Sequence, residues 1–502
     1  MDREHRGGAV LDRHGDGGGL RLGPFLCRLA QPRRDPVIDP GPKAREGLRA
    51  TWAGRRVLVL GAGISGLAAI RALRRVGAQV LVADERVGLL PDDLSTAGVL
   101  ELGMPAVLPE VDLVLATPGA SPRHHLLVSA RLSGIEIISE PELAWRLRAP
   151  EGAPWLVVTG TNGKTTTVGM LESILLAAGK ACIATGNIGL PLIDVVTGPA
   201  SYDVLAVELS SFQLHRSPSV RAHAATVLNV APDHLDWHGS MAAYAAAKKN
   251  AFDQAGTAVF NLDDVWSSRL AEHHPRPVGF TLGRPPQGSL GIADGVLLDR
   301  AHGETIALAR VEDVPIPGEH NVANALAAAA LARSLDVPAA AVTHGLRSYR
   351  VGPHRNALIG TVEGVAYVDD SKATNPHAAQ ASLSGYADVV WIAGGLLKGA
   401  DVEDLVVAVR DRLHAVVLVG ADRAVIAQAL ARHAPQVPVV DVATNDDGAM
   451  VEIVRAAAAA ARPGSTVLLA PAAASMDMFV NYVARAEAFA AAVDQLSLEA
   501  GQ

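Results

Sequence analysis

Trp155-Leu-Val-Val-Thr-Gly160-Thr-Asn-Gly-Lys-Thr165-Thr-Thr-Val168, continuing to Gly179, carries the strongest structural pattern in the chain. The apolar run from Trp155 to Val158 reads as a buried strand, and it breaks at Gly160-Thr-Asn-Gly163. Helical spacing follows at Val168, Leu171 and Leu175, with Gly179 where a helix should be capped. Strand, glycine loop, Lys164-Thr165 and helix form the layout that cradles nucleotide phosphates. Backbone N–H groups and the helix N-terminus receive the anion, the lysine neutralises it, and a hydroxyl meets Mg²⁺. The spacing departs from the general G-x-x-x-x-G-K-[ST] pattern because Val158 holds the first glycine position. An ATP site is expected here.

The bulk of the chain agrees with a multidomain enzyme. At 502 residues, about three domains are expected. A formal charge of −8 gives no basic footprint for nucleic acid. Two cysteines, Cys27 and Cys182, cannot build a disulfide framework, so a reducing compartment, the cytoplasm, is expected. No apolar run reaches the length of about 20 residues that a membrane-spanning helix needs, so no membrane insertion is expected. Lysine occurs only at positions 43, 164, 180, 248, 249, 372 and 398, against 44 lysines and arginines together. In a chain that carries its general charge on arginine, a retained lysine is a candidate for a place where a compact primary amine is needed, with chance placement accounting for some of the seven.

Outward from the phosphate loop, residues 1–50 are dense in Gly, Pro and Arg and are expected to be a disordered extension. At Arg55 the texture changes. A strand at Val57–Leu60 runs into Gly61-Ala-Gly63-Ile-Ser-Gly66, a helix reaches about Val76, and a strand at Val80–Val82 ends at Asp84. This is the dinucleotide-binding fingerprint, which by itself does not say which nucleotide is held. Strands at Val111–Ala116 and Ile135–Ile138 continue an α/β unit, and a helix at Pro141–Leu147 leads on to the ATP strand. The second unit alternates strands (Tyr202–Glu208, Ala224–Val230) with a helix at Met241–Phe252, then enters a hairpin-rich stretch over about 257–316. His320-Asn321-Val-Ala-Asn324 opens an alanine-rich helix, and strands at Val389–Ala393, Val416–Val419 and Val467–Leu469 mark a third unit. The expected fold class is therefore α/β with three domains. They are a Rossmann-like domain at 51–142, a central P-loop domain with a mainly parallel sheet at 143–352, and a second Rossmann-like domain at 353–502.

Glu208 and His234 fall at strand ends, in the crevice where parallel sheets bind ligands. With Thr165 they form a set able to hold Mg²⁺ against phosphate oxygens, since Mg²⁺ favours few carboxylates plus phosphate and water.

Taken in order, the motifs resemble the Mur ligases of peptidoglycan synthesis, within them the branch that adds D-glutamate. The resemblance runs from about Gly54 to Phe489. It is carried by Gly61–Gly66, Thr159–Thr166, Gly186-Asn-Ile-Gly-Leu-Pro191, Glu208-Leu-Ser-Ser-Phe-Gln213 and Asn229–Asp236. It continues through Tyr244–Lys248, Gly318–Asn324, His354-Arg355, Asp370–Asn375, Gly394–Gly399 and Pro471–Ser475. The chain departs from the family pattern at Leu396-Leu397 and at Tyr482-Val-Ala-Arg-Ala.

The resemblance implies a role for each matching residue. Gly160, Thr161, Asn162, Gly163, Lys164, Thr165 and Thr166 would hold ATP's phosphates, and Asn321, Asn324, Arg355 and Asp370 its nucleoside. Thr165 and Glu208 would support one Mg²⁺. His234 would support a second, together with Lys248, which is carbamylated in this family; Lys249 competes, but Lys248 has the spacing from Tyr244. Lys164, Glu208, His234 and Lys248 are thus the catalytic set. Gly63, Ile64, Ser65, Asp84 and Thr117 would contact the UDP end of UDP-MurNAc-L-Ala, and Asn187 its sugar–peptide. Lys372, Thr374, Lys398, Ser475 and Tyr482 would bind D-glutamate. The implied reaction is ATP-dependent amide formation through an acyl phosphate, by a protein expected to act as a monomer.

Overall fold

The computed structural model describes residues 51–500 except 87, 89, 92–93, 95–98, 302, 351, 353 and 444–447. The N-terminal extension and Cys27 lie outside the described residues. Three sheets organise the chain. The first contains β1 (Arg56–Leu60), β2 (Gln79–Ala83), β3 (Leu100–Glu101), β4 (Leu113–Ala116) and β5 (Glu136–Ile138). Its strands are all parallel, in the order β3-β2-β1-β4-β5. Val57–Leu60 and Leu113–Ala116 are buried throughout, as parallel strands covered on both faces must be. Helix α1 (Ile64–Arg75) follows β1, α2 (His125–Leu132) precedes β5, and α3 (Glu140–Leu147) leads out of the sheet. Ser139 caps α3 by accepting the Glu142 N–H.

The second sheet holds β6 (Trp155–Thr159), β7 (Cys182–Gly186), β8 (Val204–Glu208), β9 (Ala224–Val227), β10 (Thr257–Asn261) and β11 (Pro277–Phe280). β12 (Ser289–Ala293), β13 (Val296–Asp299) and β14 (Ile306–Arg310) complete it, in the order β14-β13-β12-β11-β10-β9-β6-β8-β7. The hairpin expectation for 257–316 is corrected in part. β10 pairs in parallel with β9 and β11, and only β12–β14 form antiparallel hairpins. The helices that matter for the site are α4 (Lys164–Ala177), α5 (Leu192–Thr197), α6 (Ser211–Leu214), α7 (Met241–Asp253) and α8 (Glu319–Arg333). α4 stops at Ala177, and Gly179 follows at φ +76°.

The third sheet, in the order β15-β16-β20-β17-β18-β19, comprises β15 (Ala357–Val362), β16 (Val365–Asp369), β17 (Val389–Gly394), β18 (Leu413–Val419), β19 (Val439–Asp441) and β20 (Thr466–Leu469). α9 (Pro376–Leu383) and α10 (Tyr482–Ala500) pack beside it. Both glycine loops leave their sheets at switch points: β1 lies between β2 and β4, and β6 between β8 and β9. The two junctions differ in chemistry. Val57, Val59 and Leu73 share one buried cluster with Trp155, Leu192 and Leu205, so the first unit is fused to the second through apolar contact. The third unit keeps its own clusters and faces the second across a polar cleft.

Candidate active site

The cleft begins at the loop between β6 and α4. Gly163 occupies the left-handed region at φ +83°, and a Cβ there would collide with the Asn324 side chain from α8. Thr161 Oγ1 receives the Ala231 N–H at 3.0 Å and lies 3.1 Å from Tyr244 Oη. The Asn162 N–H donates to Asn229 Oδ1 at 2.9 Å, and Asn229 Nδ2 returns to the Asn162 carbonyl at 3.2 Å. The loop is thus pinned from β9 and α7 before any ligand arrives.

Charge is gathered on and behind this loop. Lys164 Nζ donates to the carbonyls of Gly160 and Thr161 at 3.0 and 2.8 Å. Burial lowers its pKa; Glu208 and Asp233 oppose that, while Lys372 and Arg355 add to it. Lys248, 1% exposed, donates to the same Gly160 carbonyl at 2.8 Å and lies 4.4 Å from the centre of the Tyr244 ring. Burial, and then Lys164, hold its amine well below its ordinary value, with Asp233 pulling the other way. Lys249 points outward and pairs with Asp253. Glu208, also 1% exposed, accepts from Thr165 Oγ1 at 2.5 Å and from Asn187 Nδ2 at 2.9 Å. His234, in the left-handed region at φ +53°, packs edge-on to Phe212 and lies 3.5 Å from Asp233. Its pKa is lowered by burial first, with Lys398, Lys164 and Lys248 adding and Asp233 opposing.

The third sheet supplies the opposite wall. A space of about 1010 Å³ is lined by Thr161–Thr166, Asn187, Glu208 and His234 from the second unit, and by Arg355, Asp370, Lys372 and Thr374 from the third. Asn321 and Asn324 line it from α8. Asp370 is raised to about 6 by burial, against a hydrogen bond from Ser382 and the charge of Arg355. Lys372 Nζ donates to Tyr482 Oη at 3.0 Å and sits 4.4 Å from the centre of that ring. Ser475 and Lys398 lie on neighbouring loops, since Leu396 and Ala474 exchange backbone hydrogen bonds. Neither lines the cleft itself.

Three residues in and beside the cleft had no role assigned from the sequence. Asn375 and Asn162 exchange amide hydrogen bonds at 3.1 and 3.3 Å across the cleft, and His377 Nδ1 lies 3.0 Å from Asn162 Nδ2. The readable signal was Asn375-Pro376, a helix start placed just after a lysine–threonine motif. Arg485, within the departing Tyr482 segment, is buried and donates to Ser371 Oγ at 2.9 Å and to the Ser371 carbonyl at 2.8 Å. It props the Asp370–Asn375 loop.

The first-unit residues form a separate group at the C-terminal end of β1. Asp84 accepts the Ala62 N–H at 2.8 Å and the Arg86 N–H at 3.0 Å. Burial would raise its carboxyl, but these bonds outweigh burial and the net shift is downward. Thr117 Oγ1 donates to the Leu60 carbonyl at 2.9 Å and fills the space that a Cβ at Gly61 would need. Gly63 and Ser65 flank Ile64, whose side chain stands 78% exposed on the open side of the turn.

Three family models match the chain: "Mur ligase MurD-like, N-terminal domain" over residues 55–139, "Mur ligase middle domain" over 158–332 and "Mur ligase, glutamate ligase domain" over 354–473. The chain is 54% identical over 459 residues to the UDP-N-acetylmuramoylalanine–D-glutamate ligase of Streptomyces avermitilis, covering 88% of this chain and 98% of that one. The solved UDP-N-acetylmuramate-alanine ligase of Thermotoga maritima superposes with a TM-score of 0.55 at 18% identity, over 88% of this chain and 99% of that one. The MurF ligase of Thermotoga maritima, solved in complex with ADP, gives 0.53 at 16% identity, over 89% and 97%. The two solved structures bear on the fold alone.

Proposed function

The chain belongs to the Mur ligase family, and on that footing we propose that it joins D-glutamate to UDP-N-acetylmuramoyl-L-alanine, cleaving ATP to ADP and phosphate. The observation that carries this reading is the meeting, in one cleft, of the phosphate loop with Arg355, Asp370 and Lys372 from the third sheet. The domains are taken as 51–142, 143–352 and 353–502. The first holds the UDP end at Gly63, Ile64, Ser65, Asp84 and Thr117. Asn187, bonded to Glu208, receives the sugar–peptide. Gly160–Thr166 hold ATP's phosphates, with Asn321, Asn324, Arg355 and Asp370 around the nucleoside. The alanyl carboxylate attacks the γ-phosphate to give an acyl phosphate. The neutral D-glutamate amine then attacks that carbonyl, and phosphate leaves, taking up the proton that the amine nitrogen gives up. Lys164 neutralises charge on the transferring group, while Lys372, Thr374, Lys398, Ser475 and Tyr482 orient the dianionic amino acid.

The donor set fits one Mg²⁺ directly. Glu208 is a buried carboxylate whose oxygens, among the described residues, accept hydrogen bonds from a hydroxyl and an amide, and Thr165 supplies the second hard oxygen donor. A bound Mg²⁺ would neutralise phosphate charge there. His234 and Lys248 suit a second ion only after the Lys248 amine is changed, because an amine bonded to a carbonyl offers no oxygen. The depressed amine favours that change: its neutral nitrogen adds CO₂, a proton is lost, and a carboxylate-like carbamate results. No helix of the described residues is long and apolar enough to cross a membrane. We place the enzyme in the cytoplasm as a monomer. The test is phosphate release by the purified full chain with ATP, Mg²⁺ and UDP-N-acetylmuramoyl-L-alanine. It should appear only when D-glutamate is added; its absence with D-glutamate present overturns the reading.

A further inference from the structure

A second pocket, of about 560 Å³, lies at the seam between the first and second units, away from the ATP cleft. Arg131 at the end of α2 and the side chains of Leu127, Ile135 and Ile137 line one side. His215 and Arg216, directly after α6, line the other. Arg216 is only 6% exposed. Its Nη2 donates to the Ala120 carbonyl at 3.1 Å, and its guanidinium lies 5.4 Å from the centre of the Trp237 ring. Among the described residues, its buried Nη1 has no hydrogen-bond partner, and neither has the buried Trp237 Nε1.

The charges around Arg216 do not compensate it. Arg131 is the charged group that acts on it, and both arginines act on His215 in the same direction. Among the described residues no carboxylate forms an ion pair with any of the three. A buried guanidinium without an anion is among the least favourable groups a fold can keep. The Ala120 carbonyl explains one end of Arg216 but leaves the Nη1 donor unanswered. The guanidinium fork matches a carboxylate or phosphate, and the apolar wall of Leu127, Ile135 and Ile137 suits a hydrocarbon body.

We infer that this seam pocket binds a small oxyanion carried on an apolar group, with Arg216 and Arg131 taking the anionic head. The ligand would bridge the first unit to the second, independently of the nucleotide cleft. Isothermal titration of the full chain with phenyl phosphate and with phenylacetate tests this, with Mg²⁺ and a non-hydrolysable ATP analogue saturating the cleft. Both probes are expected to bind more tightly than inorganic phosphate, and the stronger of the two identifies the preferred head group. Arg216→Gln and Arg131→Gln should each weaken binding about tenfold or more. Arg131 is exposed, so Arg131→Gln should fold and retain D-glutamate-dependent phosphate release, which keeps the test valid if Arg216→Gln misfolds. Loss of probe binding when the ATP analogue is present, or unchanged affinity in Arg131→Gln, would overturn the inference.

Discussion

Lys248 is the residue at which function and stability part most clearly. Its amine is buried, bonded to one carbonyl, and held well below its ordinary value by burial and by Lys164. The unfolded chain takes up a proton that the folded chain refuses. Folding is therefore penalised below the unfolded lysine value, and the penalty lifts as pH rises. Relative to the chain with Lys248 unmodified, Lys248→Met removes that penalty, and Lys164 still donates to the Gly160 carbonyl at 3.0 Å. The variant should be as stable as the parent or more stable by about 1 kcal/mol, while D-glutamate-dependent phosphate release falls about 100-fold or more. Urea midpoints and initial rates check both, and a clear loss of stability would contradict the argument. In Lys248→Ala, partial recovery of turnover on adding a short-chain carboxylic acid would support the carbamate. In the sequence, the resemblance and the spacing from Tyr244 pointed to this residue; the scarcity of lysine agrees with them but does not separate Lys248 from Lys249. Asn375 and His377 gave no comparable signal. Asn375-Pro376 marked a helix start, but the contact with Asn162 lies 213 and 215 positions away along the chain, and no local pattern records that.

At the scale of elements, the turn between β6 and α4 was legible because its causes are local. A buried apolar run, a glycine in the left-handed region and a helical repeat all lie within one stretch. What that stretch could not reveal is that α8 crosses directly over the turn, with Asn324 against Gly163. Gly163→Ala is thus opposed twice, by φ and by the neighbour. It should lower stability by about 1–3 kcal/mol and raise the KM for ATP. A variant with parental melting temperature and KM would show that the loop can relax without consequence. The stretch 257–316 was harder to read for the opposite reason. Apolar periodicity reports which face of a strand is buried but not which strand lies beside it. β10 and β11 extend the parallel sheet through partners far away in sequence, whereas β12–β14 are true neighbours and do form hairpins.

For the whole molecule, the contrast between the two seams matters most. Across the polar cleft the third unit is held to the loop by the paired amides of Asn162 and Asn375, contacts that can open when ligands exchange. The first unit is instead locked to the second where α3 packs on α5, and Glu140 lies in that seam at 1% exposure. Its Oε1 accepts the Ile193 N–H at 2.6 Å, while its buried Oε2 has no hydrogen-bond partner among the described residues. Burial raises its pKa to about 7; Asp194 adds to this, and the Ile193 and Leu192 N–H groups oppose it. The folded value is above the unfolded one, so the stabilising contribution is complete below the unfolded carboxyl value. It is lost as pH rises through about 7. Glu140→Gln preserves an acceptor for Ile193 and cannot ionise. Its stability relative to the parent should therefore grow between pH 5 and pH 8, by up to about 3 kcal/mol. Comparing parent and variant at each pH cancels every other titrating group. Denaturant midpoints at the two pH values provide the measurement, and a pH-independent gap would mean that the Glu140 carboxyl does not titrate within the seam.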